Sequence, residues 1–345
     1  MRVRTLSGLT EPRQGLFRAV RKRLGYAKYV CLDGGHRELR YRWRLRRLNH
    51  RAARTLEALL RDGVITPIAT PADADLEFHM QCSRDHTTMG IWALISILRW
   101  VDGKAGLVVH SDGSLVPDDM ARFRRFFPEV RFVLPEDGRR WMEQRLAGSD
   151  FQLLREFRAH VFAPKLLQIH MSERARTVVI VDPDVLFFHR PEELLASFDT
   201  PGPELTSFRE EFDWVSVIAP PKDGEIDSRC VTRIERDLNS GMVVMPRFGD
   251  EQFHFLERML RAYKPEWRVH YFAEQALVAQ AAGEFGWRPL PSNTYKIGSV
   301  EWTPDTVAFH YVSNKTVRPR FFEEGLPAVI RSLKAVRYPH SERVQ

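Results

Sequence analysis

The chain has 345 residues, 43% hydrophobic and 28% charged, the balance of an ordinary globular protein long enough for two average domains or one large α/β domain. Its longest uncharged apolar run, residues 90–98 (GIWALISIL), falls well short of the ~20 residues that span a bilayer. An arginine-rich start without an apolar signal region, and scattered Cys31, Cys82 and Cys230 with no CxxC pair, exclude a disulfide scaffold and a cysteine metal site and predict a cytoplasmic setting.

The net charge of +7 is unevenly placed. Residues 1–61 hold 17 Lys and Arg against 4 Asp and Glu, a surplus of +13, which leaves −6 on the rest. Within this arm Tyr41, Leu45, Leu48, Ala52, Leu56 and Leu59 recur at helical spacing, with Arg42, Arg44, Arg46, Arg47, Arg51 and Arg54 mostly on the other faces. Such a helix docks on a body with its basic face in solvent, or lies on an anionic membrane surface with Trp43 at the interface. No zinc-finger, RNP or helix-turn-helix pattern accompanies the charge, which argues against nucleic acid. The expected divisions are a basic, largely helical extension over residues 1–75, a body over 76–325, and a basic tail over 326–345.

From the Pro/Ala/Asp stretch at residues 67–75 onward, strands and helices alternate. Residues 76–82 read as a strand, 88–101 as an apolar helix, 106–110 as a strand ending in a Ser-Asp-Gly turn, 117–127 as a helix and 130–134 as a strand. Residues 151–171 read as one long helix. The run 177–188 (TVVIVDPDVLFF) is too apolar for an edge strand. Residues 238–246 and 306–311 are further strands, and 251–263 and 273–282 are helices. This order predicts an α/β fold with a Rossmann-like, mostly parallel central sheet flanked by helices, its ligands beyond the carboxyl ends of the strands.

Asp182-Pro183-Asp184 interrupts the most apolar strand of the chain. Two carboxylates there repel one another and cost several kcal/mol to bury without a counter-charge. With one residue between them in extended backbone, both project to one side, which suits a single divalent cation. The alternative is a pair of solvated loop aspartates shaped by Pro183.

VVIVDPDVLFF followed by Arg190-Pro191-Glu192-Glu193-Leu194 resembles the DxD motif of GT-A glycosyltransferases, most closely glycosyltransferase family 8 and its relatives. Further matches fall in the family's order: Lys165 before the DxD strand, Asn239-Ser240-Gly241 opening a later strand, Glu274-Gln275 at a helix start, and His310 after the last strand with Lys315 beyond it. The resemblance implies a GT-A fold and transfer of a sugar from a nucleotide diphosphate donor, a UDP-sugar being favoured, to a glycan, lipid-linked or protein acceptor, with retention of configuration.

It also implies the roles. Asp182, Asp184 and His310 would hold Mn²⁺ or Mg²⁺, an O, O, N donor set that suits Mn²⁺. Lys165 and Lys315 would meet the diphosphate. Asn239, Ser240 and Gly241 would lie against the donor or acceptor, with Glu274 on the donor-sugar hydroxyls and Gln275 near the anomeric carbon. Gln81, Ser83, Arg84, Asp85 and Asp112 stand where the nucleoside would bind, with His86 and Trp92 in the neighbourhood where the family has a base-stacking aromatic. An inverting reaction would instead need a carboxylate base, Glu274 or Asp213. Ser313-Asn314-Lys315-Thr316-Val317 keeps the basic residue of the family's C-terminal Gly-Xaa-Xaa-Lys-Pro-Trp pattern without its frame.

Two other classes fit parts of the pattern. Asp182-Pro183-Asp184-Val185 also resembles the start of the DxDx[TV] string of haloacid-dehalogenase phosphatases, but that motif opens its domain, whereas here βα units precede it. An inactive GT-A scaffold acting through the basic arm is the other.

Overall fold

The computed structural model describes residues 35–172, 174–199, 202–210, 235, 237–312 and 315–337. The chain divides into two compact units, Met1–Arg51 and Ala52–Gln345. Helix α1 (Gly35–Arg61) carries the apolar face expected from its spacing, and Ala52, Leu56 and Leu59 at its C-terminal end are buried. In its other half Arg42, Arg44, Arg46 and Arg47 are exposed, and Arg47 lies over the exposed Trp43 ring. No helix among the described residues is long and apolar enough to cross a membrane.

A seven-stranded sheet forms the centre of the second unit. In chain order it contains β1 (Leu76–Cys82), β2 (Ala105–Ser111), β3 (Arg131–Val133), β4 (Thr177–Val181), β6 (Leu205–Arg209), β7 (Leu238–Pro246) and β8 (Trp287–Pro289). The spatial order is β3-β2-β1-β4-β7-β6-β8, and β7 alone runs against the others. The α/β class expected from the alternating pattern is the one observed. The apolar TVVIV segment sits between β1 and β7, as a strand buried on both faces must.

Val178 and Ile180 of β4 and Val243 and Met245 of β7 face one core. Packed there are α4 (Pro135–Arg145), α5 (Gln152–Phe157), α6 (Ala163–Leu166), α8 (Asp250–Ala262) and α9 (Ala273–Phe285). On the Met80 and Cys82 side of β1 lie α2 (Thr87–Leu98) and α3 (Pro117–Phe126); a Cβ at Gly90 of α2 would press on Met80.

Two expectations change. The run 177–188 is two strands: β4 ends at Val181, and β5 (Val185–Phe187) enters a separate three-stranded sheet with β9 (Tyr295–Ile297) and β10 (Ala308–His310). Residues 151–171 form short helical pieces, α5 and α6 with 3-10 turns beside them. Pro164 has no N–H and its ring clashes with the carbonyl four residues back, so a single helix cannot pass it; Pro164 instead opens α6. At the C-terminus α10 (Leu326–Arg337) is a helix with Leu326 and Val329 buried.

The start of α5 depends on a carboxylate remote in sequence. Buried Glu257 of α8 accepts the Leu153 and Leu154 N–H groups at 3.1 and 2.9 Å and an Arg261 N–H at 3.0 Å. Glu257→Ala strands two helix-start donors, and Leu154 has no solvent to replace the acceptor. The expected loss is roughly 2–4 kcal/mol in urea unfolding, with a smaller loss for Glu257→Gln, which keeps one acceptor oxygen.

Candidate metal centre

The parallel strands β1 and β4 end at the same edge of the sheet where the reversed strand β7 begins. That edge therefore collects Asp182 after β4 and Asn239, Ser240 and Gly241 at the start of β7. The Asp182 N–H donates to Gly241 O at 2.7 Å. The backbone then turns, with Val185 N–H donating to Asp182 O at 3.2 Å, so the two carboxylates converge through a turn with Pro183 at its corner rather than along extended chain. β5 pairs with β10 so that His310 lies opposite Val185, and Tyr311 N–H donates to Asp184 O at 2.8 Å.

These pairings bring one ligand atom from each of Asp182, Asp184 and His310 within 4.8 Å of one another, the only such trio among the described residues. His310 Nε2 lies 3.2 Å from Asp184 Oδ1 and 3.8 Å from Asp182 Oδ2. Asp184 and His310 are buried, while Asp182 is about a quarter exposed, at 26% of its side chain. Two carboxylate oxygens and an imidazole nitrogen fit Mn²⁺ or Mg²⁺, with Mn²⁺ better suited to the nitrogen. A Cβ on Gly241 would overlap the His310 imidazole, so only glycine leaves the ring in place.

Cationic side chains balance the carboxylates. Buried Lys165 of α6 places Nζ 3.0 and 3.1 Å from the two Asp182 oxygens and donates to Ser240 Oγ at 3.4 Å. Ser240 in turn donates to Glu274 Oε2 at 3.1 Å. Arg318, in a helical turn (Arg318–Arg320) beyond β10, pairs with Asp184 Oδ2 at 2.6 Å and donates through Nη1 to His86 Nε2 at 2.7 Å.

Titration follows this geometry. Burial alone would raise Asp184, but His310 and Arg318 hold it well below the usual carboxylate range. Burial would lower His310 and Lys165, yet Asp184 raises the first, and Asp182 with Glu274 raises the second. Burial, then Arg318, push His86 down; the neutral ring accepts from Arg318 and donates through Nδ1 to Ser83 Oγ at 3.1 Å. Burial pushes Glu274 up to about 7, against the lowering effect of Lys165.

One network thus joins Asp182, Asp184, His310, Lys165, Asn239, Ser240, Gly241 and Glu274, all singled out from sequence. Gln275 follows Glu274 on α9 and is buried. Gln81 donates to Val161 O at 2.8 Å; Arg84 and Asp85 are exposed beyond β1. Asp112 closes a turn at the end of β2, accepting the Ser114 N–H at 2.9 Å, and Ser114 Oγ accepts the Arg84 N–H at 2.8 Å. Trp92 is fully buried and donates to Ala52 O at 3.3 Å, so it offers no face to a base. Lys315 is exposed, and three residues on it is Arg318 that reaches Asp184. Asp213, Ser313 and Asn314 lie outside the described residues.

Arg318 went unrecognised in the sequence, although Arg318-Pro319 is a basic residue–proline pair close to where that resemblance places one. A second missed signal is the pair His160-Val161-Phe162-Ala163 and His270-Tyr271-Phe272-Ala273. In each, the histidine Nδ1 accepts the N–H of the phenylalanine two residues on, at 3.2 and 3.3 Å, and His160 Nε2 donates to His270 O at 2.9 Å. The joined turns launch α6 and α9, which carry Lys165 and Glu274.

No protein-family model matches the chain, and no curated protein matches it. Solved structures similar to it include the WbbM bifunctional glycosyltransferase (15% identity, TM-score 0.48, over 76% of this chain and 51% of that one). Others are mouse xyloside xylosyltransferase 1 (12%, 0.43, over 71% and 99%) and galactosyltransferase LgtC in complex with donor and acceptor sugar analogs (13%, 0.43, over 72% and 94%). The chain thus spans about half the length of WbbM. At these identities and scores the likeness is one of chain path, and the chemistry of the site rests on its own residues.

A charged Glu274 costs stability in proportion to its raised affinity for a proton. The folded state binds that proton more tightly than the unfolded one, so its contribution is lost as pH rises from about 4.5 to about 7. Metal-free Glu274→Gln is therefore expected to gain on the unaltered protein through this interval, by on the order of 3 kcal/mol at its end, measured by denaturant unfolding. A difference independent of pH would contradict the assignment.

Proposed function

We propose that the chain is a metal-dependent GT-A glycosyltransferase that moves a sugar from a nucleotide diphosphate donor, a UDP-sugar in first place, to an acceptor hydroxyl. The observation that carries this reading is the convergence of Asp182, Asp184 and His310 with Lys165 and Arg318 at one edge of the sheet. A diphosphate brings two to three negative charges, and this edge holds cationic side chains beside a set of cation ligands.

Asp182, Asp184 and His310 would hold Mn²⁺ or Mg²⁺, which when bound supplies Lewis-acid stabilisation of the departing nucleoside diphosphate. Lys165 and Arg318, with Lys315 at the rim, add fixed positive charge for the phosphate oxygens. Glu274, whose proton affinity burial raises, orients donor-sugar hydroxyls, with Gln275 beside it. In the transfer the anomeric C–O bond to the diphosphate breaks, one to the acceptor oxygen forms, and the acceptor hydroxyl proton passes to the departing nucleoside diphosphate. Retention is the stereochemistry proposed. Gln81, Ser83, Arg84, Asp85 and Asp112 at the ends of β1 and β2 receive the nucleoside. The exposed arginines and Trp43 of α1 suit contact with an anionic membrane surface.

Thermal unfolding with UDP, GDP or CDP, with and without Mn²⁺, tests this reading. At a hundred times its dissociation constant a ligand adds about 2.7 kcal/mol, so a shift of a few degrees that requires both nucleotide and metal is expected, and Asp184→Asn should abolish it. A shift that persists in the variant, or none with any nucleotide and metal, would contradict it.

A further inference from the structure

An imidazole binds a cation only through a nitrogen that carries no proton, and the partner of its other nitrogen decides which one that is. His310 Nδ1 lies 3.0 Å from Asn239 Oδ1. The amide orientation of Asn239 is set from both ends: Oδ1 accepts the Gly241 N–H at 2.8 Å, and Nδ2 donates to Glu210 Oε2 at 2.7 Å. An amide oxygen cannot donate, so His310 Nδ1 must carry the hydrogen. In the neutral ring this leaves Nε2 bare, and Nε2 is the atom aimed at Asp184 Oδ1 and Asp182 Oδ2. Both Asn239 and His310 are buried, and the missing side chain of Gly241 gives the ring its room.

We propose that Asn239, anchored by Glu210, is a positioning residue that locks His310 in the Nδ1–H tautomer and presents Nε2 to a divalent cation shared with Asp182 and Asp184. This role rests on the metal site proposed above and differs from direct contact with the donor. Both acceptor positions of Asn239 Oδ1 and one Nδ2 hydrogen are used within the protein, on Gly241, His310 and Glu210.

Mn²⁺ alone, titrated into the full chain and followed by the EPR signal of the free ion, tests the role. Removal of a residue that orients a ligand typically costs 10–100-fold in metal affinity, and Asn239→Ala is expected to show that loss. Asn239→Asp combined with Glu210→Gln inverts the polarity of the outer hydrogen bond while keeping an acceptor for His310 and Gly241, so affinity should return to within a few-fold of the unaltered protein. A purely structural role would shift the unfolding midpoint and leave the Mn²⁺ affinity of Asn239→Ala unchanged, which would overturn the proposal. If the unaltered protein bound no Mn²⁺, the metal site would fall and this role with it, whereas an unchanged Asn239→Ala would remove only the role. Should Asn239→Ala not fold, long-range ¹H–¹⁵N correlations of His310 in the metal-free unaltered protein at alkaline pH decide the matter without any variant. A proton on Nδ1 supports the lock, and a proton on Nε2 overturns it.

Discussion

The site depends on the mutual repulsion of two aspartates separated by one proline and pressed against an apolar sheet. Asp184 is buried, and its carboxylate can remain ionised there only with positive charge close by. The chain brings that charge from three directions: Lys165 from a short helix, His310 from the small sheet, and Arg318 from the helical turn beyond it. Each of these elements is placed by a different constraint. Pro164 starts the helix of Lys165, the β5–β10 pairing sets His310 beside Asp184, and His86 holds the far side of Arg318.

A centre so closely balanced has consequences for what it can bind. With Lys165 on Asp182 and Arg318 on Asp184 Oδ2, the remaining oxygen of Asp184 and Nε2 of His310 face each other. The cations sit on the flanks of that gap, where a polyanion meeting the metal would also meet them. Glu274 enters the same network through Ser240, which makes its burial part of the site and not a separate core feature.

Much of this was legible because the relevant residues stand at the ends of strongly patterned segments. The apolar TVVIV run marked Asp182 and Asp184, and the Asn-Ser-Gly start of β7 marked the strand that faces them. Lys165, Glu274 and His310 followed from the resemblance to the GT-A order of motifs and not from their own surroundings in the chain. What escaped the sequence depends on tertiary contact. β6, β8 and β9 are short, and Arg131–Val133 was recognisable chiefly by its place between turns. Arg318 is one arginine among many until the chain folds it onto Asp184, and Glu210 gains meaning only when β6 lies beside β7. The split of residues 177–188 into two sheets and the break at Pro164 were open to a closer reading of the prolines. Asn239 was expected at a ligand from its place in the chain; that its Oδ1 also meets His310 Nδ1 shows only once β7 and β10 are brought together.

The most direct test of the account is a crystal grown with Mn²⁺ and UDP and measured at the manganese absorption edge. An anomalous peak bounded by Asp182, Asp184 Oδ1 and His310 Nε2, with the diphosphate beside it, is the predicted result. A peak elsewhere, or a nucleotide bound away from Lys165 and Arg318, would contradict the central claim that this balanced carboxylate pair is a catalytic metal centre.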